Sequence, residues 1–296
     1  MALIRLLNIK KIKSYSKNKV LFFLLLFLLM PKFSIEALAE SKSIRGESIR
    51  DEQDNLLMLF AYSVVFQDWV NPTDQDKRGH NIGAVLFDDS VKRVAAVQLN
   101  SVSICNDKTQ HAEVRLMQQC LAEKCLGQKT QYLTHANVAI YTTLEPCMMC
   151  SGMMTFLGVL RVVYGQTDPD YGQSIERLKQ SSNESCGGED SQCIVDKPAN
   201  YYTRRITSEP SKLLKREQLD GAYFAYELQH GDHIIRFLLT DEAKQIYQQA
   251  YQDFKNLNVR HKENRAIYRQ ALSILKQLEN GELRLDYCPS WQLHHH

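Results

Sequence analysis

Residues Thr143–Met154 read TLEPCMMCSGMM. A proline stands before two cysteines that are three positions apart, and small and apolar residues follow. Proline suits the first turn of a helix, so the stretch predicts a helix opening at Pro146 and running to about Leu157. Cys147 and Cys150 then lie at i and i+3, on one face. Four readings are open for such a pair: a redox couple, a disulfide, half of a metal site, or two small hydrophobes in a buried helix.

Working outward, short apolar runs flank this helix. Ala136–Thr142 (ANVAIYT) reads as the strand before it and Leu160–Gly165 (LRVVYG) as the strand after it. Upstream, Ile82–Phe87 and Val94–Leu99 are two runs separated by a turn around Asp88–Ser90, the pattern of a hairpin. Asn55–Val70 and His111–Leu126 carry helical spacing, and Gly127 stops the second. Further on, Arg204–Thr207 reads as a fifth strand and Leu213–Leu228 as the helix behind it. Strands alternating with helices argue for an α/β domain whose later strands run parallel. Asp170–Asn200 interrupts this order. It is rich in Ser, Gly, Asn and Gln, with Cys186 and Cys193 flanking GGEDSQ, and reads as a surface insertion. From Asp241 to about Glu279 the composition is helical, as a two-helix extension. The final HHH reads as a tag remnant. The organisation expected is a leader at 1–39, an α/β domain at 50–230 with its insertion at about 170–200, and a helical extension at 231–296.

His111-Ala112-Glu113 stands at the other strand-to-helix junction. In open α/β sheets ligands bind at the carboxyl ends of strands. Here one helix begins with a histidine and a glutamate, and the next with the cysteine pair. A helix N-terminus favours the thiolate that a metal requires. His111, Cys147 and Cys150 are donors of the types zinc prefers, and three protein ligands with a fourth position for water make a catalytic rather than a structural site. Glu113 is the acid of the two motifs placed to carry protons. A lone CxxC in an exported protein is often a disulfide, and a lone HxE means little. Together, H-x-E followed by P-C-x-x-C is the signature of zinc deaminases.

On NIGAVLFDD (Asn81–Asp89), QLNS (Gln98–Ser101), TQHAEVRLM (Thr109–Met117), YTTLEPCMMCSGMM (Tyr141–Met154) and LRVVYGQTDP (Leu160–Pro169), the sequence resembles the cytidine/deoxycytidylate deaminase superfamily. It looks most like the branch of tRNA adenosine deaminases and bacterial guanine deaminases. The likeness covers residues 50–170 well and extends more loosely to 230. It implies a three-layer α/β/α fold with a mixed five-stranded sheet, with the C-terminal helical extension added. It implies zinc held by His111, Cys147 and Cys150, and Glu113 as the proton shuttle. It implies Asn100 as a substrate contact, against a plain reading as a turn former, and the main chain at Gly83 and Ala84 as lining for the base. It also implies a hydrolytic reaction in which Glu113 takes a proton from zinc-bound water and hydroxide attacks the amine-bearing ring carbon, releasing ammonia. Relatives pair through helices beside the active site, so a homodimer is expected. Met148, Met149, Met153 and Met154 read as core packing. Tyr171, Tyr201 and Tyr202 are possible stacking partners for a base.

The chain's beginning sets the compartment. Lys10, Lys11, Lys13, Lys17 and Lys19 precede the apolar run Val20–Met30, and Ala37-Leu38-Ala39 fits a cleavage site. Eleven apolar residues are short for a membrane span of about 20. Export to a periplasm or the exterior after cleavage near Ala39 is expected, with an uncleaved N-terminal anchor as the alternative and no membrane span after cleavage. The full chain has 36 basic and 34 acidic residues. Without residues 1–39 it has 29 and 33, a net charge of −4. A protein that grips phosphate backbones shows a basic surface, so a small nucleobase or nucleoside of the guanine, adenine or cytosine type is favoured over nucleic acid. A nucleic-acid-directed deaminase remains the alternative, and a non-catalytic CxxC redox or binding module the reading of another class. Six of the eight cysteines are left for disulfides in an oxidising compartment, in pairings the sequence does not decide.

Overall fold

The computed structural model describes residues 47–74, 78–127, 133, 137–179, 205–285 and 288. The leader, Cys186 and Cys193, Tyr201 and Tyr202, and the terminal histidines lie outside these residues. Among the described residues no helix is long and apolar enough to cross a membrane.

Helix α1 (Ile49–Gln67) starts six residues earlier than its apolar spacing predicts, because Ser48 caps it: Oγ accepts from Asp51 N, with Asp51 and Glu52 in the first turn. Leu56 to Val65 are buried almost without a break. Strands β1 (Gly83–Asp88) and β2 (Arg93–Leu99) form the expected hairpin. Then follow α2 (Ala112–Glu123), β3 (Val138–Thr142), α3 (Met148–Leu157) and β4 (Arg161–Tyr164). The short helix α4 (Ser174–Lys179) lies within the stretch read as an insertion. It is followed by β5 (Thr207–Pro210) and α5 (Leu214–His230). The sheet order is β2-β1-β3-β4-β5, with β1 antiparallel to β2 and β3, and β3, β4 and β5 parallel. This is the mixed five-stranded α/β architecture the sequence predicts. The fifth strand lies three residues later than expected, because its register on β4 pairs Arg161 with Thr207 and Tyr164 with Pro210. Proline is tolerated there, at a sheet edge.

β1 and β3 are buried along their whole length, as strands covered on both faces should be. Gly83 shows why one face admits no side chain at its start. A Cβ there would lie 2.7 Å from Cγ2 of Val65 in α1. Side chains alternate across a strand, so Gly83, Val85 and Phe87 face α1, while Ala84 and Leu86 face the layer of α2.

α2 ends at Glu123, short of the expected Leu126. Lys124 takes the left-handed conformation (φ 52°), and the chain turns so that Cys125 bonds to Cys120. A second disulfide joins Cys105 to Cys288. Both residues of the free pair, Cys147 and Cys150, stand apart from these bridges.

The C-terminal region is built into this body and is not an appended lobe. It comprises α6 (Ile234–Phe237), α7 (Asp241–Lys255), a 3-10 turn (Lys262–Asn264) and α8 (Arg265–Glu279). Phe254 of α7 stacks on Phe60 at 5.6 Å, and Tyr247 meets Tyr62 edge-on at 5.0 Å. The buried Glu52 accepts from Asn264 Nδ2 (2.8 Å) and from the N–H of Arg260 (2.6 Å) and His261 (3.1 Å). Residues 48–296 form one compact unit.

Candidate active site

The strand ends explain how the site assembles. The register pairs Leu99 with Gly83, Thr142 with Ala84, and Thr142 with Tyr164. The carboxyl ends of β2, β3 and β4 therefore lie at one end of the sheet. His111 stands at the N-cap of α2 and Cys147 at the N-cap of α3, so two helix N-termini point into the same space.

His111 Nδ1 lies 3.6 Å from Cys147 Sγ and 3.6 Å from Cys150 Sγ, and the two sulfurs are 3.6 Å apart. Zinc sits about 2.0–2.1 Å from nitrogen and about 2.3 Å from sulfur, so two corners of its tetrahedron lie about 3.6–3.8 Å apart. The three atoms therefore match one face of a tetrahedron around such an ion. Among the described residues this is the cluster of nitrogen and sulfur donors that could hold a metal. The cysteine sulfurs are not bonded to each other. The Cys150 thiol and His111, working against burial, hold the Cys147 thiol well below the ordinary range.

Glu113 is 3% exposed. Its Oε1 accepts from Thr142 Oγ1 at 3.0 Å, and its Oε2 lies 3.5 Å from Cys150 Sγ. Burial pushes its carboxyl up, and the neighbouring His111 offsets part of that rise. A cavity of about 370 Å³ opens over His111, Glu113 and Cys147.

The other residues singled out in the sequence fall at varied distances from this cavity. Asn100 is fully buried at the end of β2, where its Oδ1 accepts from the N–H of His80 (3.1 Å) and Val102 (3.3 Å), while its Nδ2 has no hydrogen-bond partner among the described residues. Ile82 lines the cavity; Gly83 and Ala84 follow it into β1 and are not among the lining residues. Tyr171 lines the cavity and is 63% exposed. Of the four methionines read as core, Met154 is buried and Met153 half-buried, but Met148 is 57% and Met149 37% exposed. The face of α3 that presents the cysteines fixes which methionines turn inward, and Met148 and Met149 lie on the other side.

Several cavity residues escaped the sequence reading. Glu145, inside the opening stretch itself, also lines the cavity. Its oxygens accept from the N–H groups of Gln173 (2.8 Å) and Asp168 (3.2 Å), which ties it to the loop after β4. Asp168 in turn accepts from the N–H of Asp170 and Tyr171, both at 3.0 Å. The roof comes from Asp232–Arg236, which includes most of α6, a helix of four residues. Asn81 secures it by donating to Leu238 O at 2.9 Å. A gap of eighty-eight positions separates Glu145 from His233, so no local pattern could have linked them.

Residues 64–166 match the model of the cytidine and deoxycytidylate deaminase zinc-binding region. The tRNA-specific adenosine deaminase of Agrobacterium fabrum is 37% identical over 105 residues, which are 36% of this chain and 64% of that protein. A structure from work on A-to-I editing by tRNA:A34 deaminases is 39% identical, with 31% of this chain and 61% of the other covered and a TM-score of 0.27. The guanine deaminase of Bacillus subtilis is 28% identical, over 36% of this chain and 68% of its own, also with a TM-score of 0.27. The chain thus spans somewhat less than two thirds of the first two relatives' length. The region that carries His111, Glu113, Cys147 and Cys150 is similar to the cytidine and deoxycytidylate deaminase zinc-binding region and to that stretch of a tRNA-specific adenosine deaminase.

Proposed function

We propose that this protein is an exported zinc-dependent hydrolase that removes the amine from a small nucleobase-bearing molecule of the guanine, adenine or cytosine type and releases ammonia. The observation that carries this reading is the position of Glu113, with one oxygen anchored and the other beside the donor cluster in a shared cavity. His111 Nδ1 and the sulfurs of Cys147 and Cys150 would hold the metal. Zinc, when bound with three protein ligands, keeps one position for water and acidifies it. The Thr142 hydroxyl fixes Glu113 Oε1, which leaves Oε2 to accept a proton from the attacking water and return it to the ring and then to the departing amine. The half-buried His111 and the buried Cys150 and Glu113 keep bulk water from the reacting atoms, which strengthens each electrostatic contact.

Ammonia release from a panel of guanine, adenine, cytosine and their nucleosides tests the reading. No release from any member would sink it. Export is supported by the two disulfides among the described residues, a feature of oxidising compartments. N-terminal sequencing of protein recovered after secretion should begin near Glu40; an intact leader would favour the anchor.

The match to tRNA-specific adenosine deaminases favours a second reading, a nucleic-acid substrate. Against it, Asp168, Asp170, Asp232 and Glu145 line the cavity and repel a phosphate backbone. Sequencing host RNA after expression without the leader separates the two, since a nucleic-acid deaminase would leave edited bases. The homodimer is supported by the exposed Met148 and Phe156 (63%) on α3, beside the site, because exposed apolar side chains grouped on one helix mark a contact surface.

A further inference from the structure

The cavity over Glu113 has a neighbour. A second cavity of about 380 Å³ adjoins it, and both are lined by His80, Ile235 and Arg236. Either one alone is near the lower limit of small-molecule sites, roughly 300–1,000 Å³. Their linings differ. The first combines the proton-handling residues with Ile82, Leu144 and Ile234, the apolar walls a flat ring prefers. The second offers Asn71, Asp74, Ser103 and Arg236. Among the described residues Arg236 has no ion-pair partner, and the Ser103 hydroxyl makes no hydrogen bond. Asn71 Nδ2 donates to Asp74 Oδ2 at 3.0 Å, which holds that carboxylate in place.

We propose that the second cavity is a sugar subsite and that the substrate is a nucleoside rather than a free base. The base lies over Glu113, and the ribose or deoxyribose lies beyond His80. Arg236 and Ser103 donate to its hydroxyls and Asp74 accepts from one. The proposal rests on the reading that the first cavity holds the base.

The chemistry selects a sugar over a phosphate. A sugar hydroxyl donates and accepts, and this lining provides both functions. Over the two cavities, Glu113, Glu145, Asp168, Asp170, Asp232 and Asp74 bring carboxyl groups, whereas Arg236 is the one guanidinium or ammonium group among the described lining residues. In the second cavity itself Asp74 and Arg236 offset each other, so the lining holds no surplus cation for a phosphate dianion, whereas a neutral sugar needs none. Arg236 also belongs to the roof segment that Asn81 pins through Leu238, so its backbone is fixed where the two cavities meet.

The test compares kcat/KM for ammonia release from adenine, guanine and cytosine, their nucleosides and their nucleoside 5′-monophosphates, using the zinc-loaded full mature chain. One nucleoside should exceed both its base and its monophosphate by about tenfold or more, a difference of about 1.4 kcal/mol. Arg236→Ala and Ser103→Ala should raise the nucleoside KM more than they lower kcat, and should pull the nucleoside-to-base ratio toward one. The subsite is overturned if the free base is used as well as its nucleoside, or if a monophosphate or a short oligonucleotide is preferred. It is also overturned if the variants slow base and nucleoside alike. Titration calorimetry with the same nucleosides keeps it testable without turnover. If no compound releases ammonia, the functional reading fails, whereas a nucleoside that binds the wild type and is weakened by Arg236→Ala still supports the subsite. Absence of nucleoside binding overturns it.

Discussion

Glu113 is held by Thr142 at one oxygen and faces the donor cluster with the other. Glu113→Gln keeps the shape and the Thr142 contact but cannot carry a proton. Turnover should fall by roughly 10²–10⁴, with one zinc per chain still found by elemental analysis. Loss of the metal would instead make Glu113 a ligand. Arg78 is a residue of the opposite kind, a structural cation that the sequence reading passed over. It is 2% exposed, and its guanidinium donates to Asp68 Oδ2 (2.8 Å), to the carbonyls of His80 (2.7 Å) and Asn100 (3.2 Å), to Asp68 O (2.6 Å) and to Asn81 Oδ1 (3.2 Å). Arg78→Met would strand several of these acceptors at a cost of about 3 kcal/mol, read as a lower denaturant midpoint. The contrast explains what was legible residue by residue. His111, Glu113, Cys147 and Cys150 each sit within a few positions of a helix start, so their spacing alone predicts a shared end of the sheet. Arg78, His80 and Glu145 acquire their roles from loops that meet only after folding, and arginine in a polar loop looks like any solvated charge.

Among the elements, the strands and helices that run through the core were readable from periodicity, while their ends were not. Ser48 extends α1, the Cys120–Cys125 bridge shortens α2, and pairing with β4 moves β5. These are caps, cross-links and registers, which a periodic pattern does not contain. The junction between α1 and the 3-10 turn before α8 has a pH signature. Burial raises the Glu52 carboxyl, but the Asn264 amide and the N–H groups of Arg260 and His261 outweigh it and bring it below 4.5, its ordinary value. A carboxyl with a lowered folded pKa binds fewer protons in the folded chain than in the unfolded one, so its contribution is complete above that ordinary value and is lost as the pH falls below it. Stability followed by urea denaturation should therefore decline below about pH 4.5, and Glu52→Gln should flatten the decline. A pH profile identical in wild type and variant would remove Glu52 from this role. At the same seam, Phe254→Ala in α7 would open a cavity against Phe60 and cost about 3–5 kcal/mol.

At the scale of the whole molecule, light scattering should find a dimer, and Phe156→Glu on the exposed face of α3 should yield monomers; a wild-type monomer would refute the pairing. The cysteine count was plain in the sequence, but the Cys105–Cys288 and Cys120–Cys125 partners were not, since connectivity depends on which residues the fold brings together. The two bridges should differ in worth. Cys105 and Cys288 are 183 positions apart and Cys120 and Cys125 only five. Chain entropy then assigns about 5 kcal/mol to the first and about 2 to the second, so Cys288→Ser should lower the melting temperature more than Cys125→Ser. The long bridge has a further, purely topological consequence. It turns most of the polypeptide into a covalent hoop. A single backbone cut anywhere between Cys105 and Cys288 leaves both pieces fastened to each other, so a nicked molecule keeps its full mass on a non-reducing gel and falls into two fragments only with reductant. Exported as proposed, the protein would keep both pieces joined after its first proteolytic cut.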